Sequence, residues 1–280
     1  MRAWKVFSIS PGVGLVMSQT TKIKRNVVIY VAGVLGLATI GGLVTAGGNE
    51  AGGLIFIISP ILMMAVLRAV GGDGWKDAGL GFRPRGNGRW YLFSLLAYPV
   101  TIILVVGLGV VLGMTQISAG LDTLLPAFAA AFAAQLIPRM LFAMFEEWGW
   151  RGYLEPRLAA LNIPDTRRHL IVGVIWAIWH FPLVFSTPYT EIGYVIFLPI
   201  FVLGVTLAAI VYGQLRKISG TVWTAVLLHG IGNAFAWALL QSKLIVLNNK
   251  LVANIAPEGI LMMLLWAALG WWMLKRGKAR

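Results

Sequence analysis

Four places interrupt an otherwise apolar sequence with groups able to move protons or bind anions. Glu146 and Glu147 stand side by side in Phe145-Glu146-Glu147-Trp148-Gly149-Trp150-Arg151-Gly152. His180 closes Trp176-Ala177-Ile178-Trp179-His180, His229 and Asn233 bracket Gly230-Ile231-Gly232, and Pro138-Arg139 precedes the acids. The chain holds 10 acids, 3 histidines and no cysteine, which excludes disulfides, thiolate metal sites and Cys nucleophiles. No Ser stands beside the histidines as a nucleophile, and no His-Glu-x-x-His zinc pattern occurs. Hydrolysis by such a set requires activated water, through a base or a metal.

Spacing assigns roles. Glu147 and Arg151 are i and i+4, the favourable order for an ion pair on one helix face. Glu146 points about 100° away from that pair, so two adjacent carboxylates meet different surroundings, one structural and one reactive. An acid in an apolar, partly wet cavity is suited to take and return a proton. Glu146 is therefore the candidate base, with His180 sharing and orienting its water. His229 and Asn233, again i and i+4, share a helix face and can donate to a developing oxyanion. Glu147 with Arg151 holds the acid-bearing helix in place. A second arrangement uses Glu146, His180 and His229 as a two-His-one-carboxylate zinc set with an open water position. The residues alone leave both arrangements open, one without a cofactor and one with zinc. Taken singly, each residue has a plainer use: a membrane His or Asn as an interhelical hydrogen-bond partner, Glu-Glu as a solvated helix boundary, His169 beside Arg167 and Arg168 as an interfacial group. Trp176 and Trp179 read as packing or cavity lining. Convergence at one depth on three helices is what favours chemistry.

The elements that must carry these residues are membrane helices. Of 280 residues 59% are hydrophobic and only 12% charged, with a mean hydropathy of +0.81. That excludes a disordered chain, a nucleic-acid-binding domain and an ordinary cytosolic enzyme. A spanning helix needs about 20 mainly apolar residues. Eight segments qualify: 27–46, 53–69, 91–114, 124–145, 170–187, 193–213, 222–240 and 259–274. The expected fold is all-α and polytopic, a single transmembrane domain over 27–274 with a polar cavity between the fourth, fifth and seventh spans. A basic, partly interfacial lead-in (1–26) precedes it and a basic tail (275–280) follows. Of the 23 Lys and Arg, all but three cluster at 2–25, 68–89, 151–168, 216–217 and 275–280. Lys243 and Lys250 fall on the other side and Arg139 inside a span. This asymmetry predicts a multi-pass cell-membrane protein with both termini cytoplasmic. The net charge of +13 is then a topological label that also attracts anionic lipid headgroups. The expected partners are membrane lipids and a peptide or lipidated-protein substrate, not nucleic acid.

At about 1.5 Å per residue, His180, His229 and Glu146 lie about 12 to 18 Å from the inner ends of their spans. Glu146 reaches that level only if its helix continues to about residue 155, where Trp148, Trp150, Tyr153 and Leu154 suit an interface. Such a helix is too long for one straight span, and Pro138 predicts a kink or break in it. Residues 121–137 would then form a tilted or re-entrant segment, with Arg139 near the outer part of the site. Residues 71–87 read as a surface loop.

At these positions the sequence resembles the CPBP family, the CAAX-protease and bacteriocin-processing intramembrane endopeptidases, and within it the type II CAAX prenyl endopeptidases. The family pattern is Glu-Glu-x-x-x-Arg, Phe-x-x-x-His and His-x-x-x-Asn on separate helices. Glu146, Glu147 and Arg151 match the first element, His180 the second, and His229 with Asn233 the third, within residues 120–240. Trp176 departs from the pattern, standing where the family usually has Phe. The resemblance implies a metal-independent glutamate protease with the roles given above. A non-catalytic membrane protein, such as a bacteriocin self-immunity partner, and a small-solute transporter are the alternatives. The lack of an internal repeat argues against transport.

Overall fold

The computed structural model describes residues 11–278, with side chains from 19 to 276. In chain order the helices are α1 (Pro11–Ala46), α2 (Ala51–Ala69), α3 (Gly88–Val111), α4 (Leu121–Gly149), α5 (Glu155–Ala160), α6 (Asp165–Ser186), α7 (Tyr194–Ser219), α8 (Trp223–Gln241) and α9 (Ile260–Lys278). A π-turn at Trp150–Leu154 joins α4 to α5, so Leu121–Ala160 runs as one 40-residue segment. Two short strands, β1 (Thr115–Ile117) and β2 (Ile245–Leu247), form an antiparallel ribbon. The protein is thus all-α and polytopic. Seven helical segments among the described residues are long and apolar enough to cross a membrane. The helix α9 stands where the eighth span was expected and carries Lys275 and Arg276 near its C-terminal end. Helices dominate because no water is available in lipid to satisfy a backbone amide or carbonyl left outside one.

Two stretches on the N-terminal side of the site are continuous helix. Helix α1 already runs through Lys22, Lys24 and Arg25, while Arg2 and Lys5 lie outside the described residues. Helix α4 continues through both Pro126 and Pro138 without a break. Pro138 withholds one donor from the carbonyl four residues back, a loss that membrane helices absorb by local adjustment. The irregularity falls instead at the π-turn, directly after the two glutamates. Such one-residue insertions recur at functional sites.

The helices pair as α4 with α8 and α2, α3 with α8, α6 with α7 and α1, and α7 with α9. Gly230 and Gly232 allow the first contacts, since a Cβ at either would strike Met140 on α4 or the Tyr98 ring on α3. The N-terminal half of α4 is peripheral: Leu121, Leu125 and Ile137 are exposed. Between it, α3 and α8 runs an apolar groove of about 450 Å³ lined by Ile102, Val106, Leu125, Phe128, Phe235 and Leu239.

The two ends of the bundle differ. At one end the loop between α2 and α3 is pinned down by charge. Asp73 accepts from the Tyr153 hydroxyl at 2.6 Å, and Asp77 pairs with Arg68 at 2.8 Å and with Arg157. Arg216 donates to the carbonyls of Arg151 and Asp77 at 3.1 and 2.8 Å. The 71–87 segment therefore caps the helices rather than lying loose. At the other end stand the ribbon, the Lys250–Glu191 pair at 2.5 Å and the buried Glu258.

Candidate active site

The glutamates occupy the final turn of α4. Their carbonyls both receive the Trp150 amide at the entry to the π-turn, and their side chains are almost wholly buried, 5% exposed for Glu146 and 0% for Glu147. Glu147 Oε1 accepts from Arg151 at 3.0 Å and lies 2.9 Å from His229 Nδ1. Arg151 is sandwiched between aromatic faces, its guanidinium carbon 4.5 Å from the Trp176 ring centre and 4.7 Å from that of Tyr212. Cation–π contact on both faces compensates a charge removed from water. Glu147 is thus held through Oε1 by Arg151 and His229, while its Oε2 has no partner among the described residues.

Glu146 meets a different set. The Trp176 indole N–H donates to its Oε2 at 2.8 Å, while its Oε1 lies 3.9 Å from His229 Nε2. The imidazole of His229 therefore stands between the two carboxylates, its Nδ1–H given to Glu147 and its Nε2 turned toward Glu146. His180 lies one helical turn beyond Trp176. Its Nδ1 is 2.8 Å from the Trp176 carbonyl, and a carbonyl only accepts, so Nδ1 carries the proton. Nε2 of a neutral ring is then left with a lone pair. Around it stand Trp179, Phe201 and Phe56, with ring centres at 4.7, 5.4 and 6.2 Å.

The sequence-selected residues do not all meet. Glu146, Glu147, Arg151 and His229 form one contact cluster, which Trp176 links to His180. Asn233 sits one turn along α8 from His229 and is exposed. Arg139 lies a further turn or two out on α4, donating to Gln135 at 3.1 Å. Among the described residues no three His, Asp or Glu side chains converge closely enough to hold a metal ion. Glu146, His180 and His229, considered above as a zinc set, are not assembled as one.

Several aromatic and basic residues have other roles than their composition indicated. Trp150, Tyr153 and Leu154, taken as interfacial, are fully buried. Trp150 packs edge-on against Tyr30 and Trp179, with ring centres at 6.0 and 5.8 Å. His169, also expected at the interface, is fully buried between Glu155 at 2.7 Å and Gln214 at 2.9 Å. The π-turn and α5 continue α4 and pack against α6, which encloses these groups. Tyr212 and the Trp176 indole N–H carried no chemical signal in the sequence. Only the departure of Trp176 from the family pattern marked that position.

Comparison with known proteins agrees with the motifs. Residues 128–235 match the family model described as type II CAAX prenyl endopeptidase Rce1-like. A curated relative, the CAAX prenyl protease 2 of Methanococcus maripaludis, is 33% identical over 86 residues, which is 31% of this chain and 30% of that protein. The match thus spans less than a third of the relative's length. The segment holding Glu146, His180, His229 and Asn233 accordingly matches the type II CAAX prenyl endopeptidase Rce1-like family.

Proposed function

We propose that this protein is an intramembrane endopeptidase that hydrolyses a peptide bond of a membrane-associated or lipidated peptide, using water activated by Glu146 and His180. The observation that carries the reading is the buried Glu146 carboxyl, with Oε2 held by the Trp176 indole at 2.8 Å and Oε1 turned toward the His229 imidazole of another helix at 3.9 Å. Water placed between Glu146 Oε1 and the His180 Nε2 lone pair gives its proton to the carboxylate as its oxygen attacks the scissile carbonyl carbon. The resulting oxyanion takes hydrogen bonds from Asn233 and from His229 in its protonated form, a charge supported by the two flanking carboxylates. Collapse breaks the C–N bond, and Glu146 passes the proton to the leaving amine. No side chain forms a covalent intermediate.

The basic end of the bundle is assigned to the cytoplasm and the membrane to the cell membrane, on the strength of the Lys and Arg asymmetry. The apolar groove beside α4 suits a hydrophobic portion of the substrate. The name of the Methanococcus maripaludis relative makes a prenylated C-terminus the first candidate. Comparing membrane-protein termini from cells carrying wild-type protein or the Glu146→Gln variant tests the assignment. A cleavage product present in the first and missing in the second is expected, and it survives treatment with a zinc chelator. Identical termini in the two membranes contradict proteolysis. Loss on chelation with recovery on added zinc contradicts the metal-free route.

A further inference from the structure

Trp176 touches more of the site than any residue given a chemical role above. Its indole N–H donates to Glu146 Oε2 at 2.8 Å. Its carbonyl holds His180 Nδ1 at 2.8 Å, one ring face covers Arg151 at 4.5 Å, and its ring centre lies 5.5 Å from that of His229. The contact to Glu146 is not a by-product of burial. The buried indole nitrogens of Trp148, Trp150 and Trp266 have no hydrogen-bond partner among the described residues, so this fold leaves indole N–H groups unsatisfied elsewhere. Trp179 finds only a hydroxyl, Ser59 Oγ at 2.9 Å. Trp176 alone among these delivers its donor to a carboxylate.

Resting on the endopeptidase reading, we infer that Trp176 is a positioning residue for catalysis, its indole N–H fixing Glu146 so that Oε1 alone meets the water. A carboxylate with both oxygens free rotates about its last torsion and offers its lone pairs over a broad arc. One charge-assisted hydrogen bond in a dry site removes that freedom. Phenylalanine, usual at this position in the family pattern, retains an aromatic wall and a face for Arg151 but has no donor. Trp176→Phe therefore isolates the hydrogen bond from the packing.

Two measurements test this on purified full-length protein. With a quenched fluorescent farnesylated CAAX peptide as probe, Trp176→Phe lowers kcat about 10- to 100-fold while KM stays within about threefold. Trp176→His, which restores a ring N–H, recovers part of that loss. A kcat within twofold of wild type in Trp176→Phe overturns the inference, as does a loss confined to KM. Independently of turnover, ¹⁵N-indole spectra of wild type and Glu146→Gln are compared. One indole N–H resonance, absent from Trp176→Phe, is expected to move in Glu146→Gln while the others stay. An unmoved spectrum overturns the hydrogen bond even if Trp176→Phe fails to fold. A wild type that cleaves nothing, with the resonance shift intact, counts against the endopeptidase reading and leaves the Trp176–Glu146 contact standing.

Discussion

Glu146 and Glu147 differ by one position and by every neighbour. Glu147 is held through Oε1 by Arg151 and His229, whereas Glu146 is held through Oε2 by Trp176 and turns Oε1 toward His229. The ion pair was legible from i, i+4 spacing alone. The His229 contact was not, because its partner comes from a helix about 80 residues away and a rotation of either helix would break it. Glu147→Gln tests the division. It leaves Arg151, 0% exposed, as a buried cation without a counterion, for which about 3–5 kcal/mol of destabilisation is expected. Thermal unfolding in detergent should show that loss together with lost activity. A variant as stable as wild type would mean that Tyr212 and Trp176 alone sustain the guanidinium.

At the scale of helices, depth arithmetic placed the acid and both histidines at one level, and the structure brings those helices together. Two misreadings have physical causes. Pro138 was expected to kink or break its helix; α4 is not broken there, because a proline within a membrane helix costs one hydrogen bond that local adjustment replaces. The run Trp148, Trp150, Tyr153 looked like an interfacial belt, because composition cannot separate an aromatic belt from an aromatic core. The π-turn decides between them by shifting the helical phase by one residue and turning Trp150 and Tyr153 inward. The glycines of His229-Gly230-Ile231-Gly232-Asn233 set how closely α8 meets its neighbours. In Gly232→Ala the new Cβ enters the Tyr98 ring. That ring is held by Trp266 at 4.5 Å and by the Tyr212 hydroxyl at 3.4 Å, so it cannot swing aside. A loss of about 1–3 kcal/mol is expected on unfolding, with activity falling as His229 moves. Unchanged stability would show that α8 tolerates a wider spacing.

Across the whole molecule charge is scarce, and its placement separates a basic end from an end with isolated acids. One of these, Glu258, is expected to give the protein a pH-dependent stability away from the candidate active site. It is 8% exposed, its Oε1 receives Asn254 at 3.3 Å and its Oε2 has no partner among the described residues. Burial pushes its carboxyl up from 4.5 to about 7. A folded-state value above the unfolded one means that folding takes up a proton. The stabilisation is complete below about pH 4.5 and is lost as pH rises through about 7, amounting to about 3 kcal/mol. Glu258→Gln should flatten the unfolding profile between pH 5 and 8, and an unchanged slope would place the titration elsewhere. The central claim concerns a different acid, and purified protein tests it most directly. Cleavage of a membrane-delivered farnesylated CAAX peptide is followed for wild type and for Glu146→Gln, with matched thermal unfolding as the control for folding. The account predicts a folded variant without measurable cleavage, and a folded Glu146→Gln protein that still cuts the peptide would contradict it.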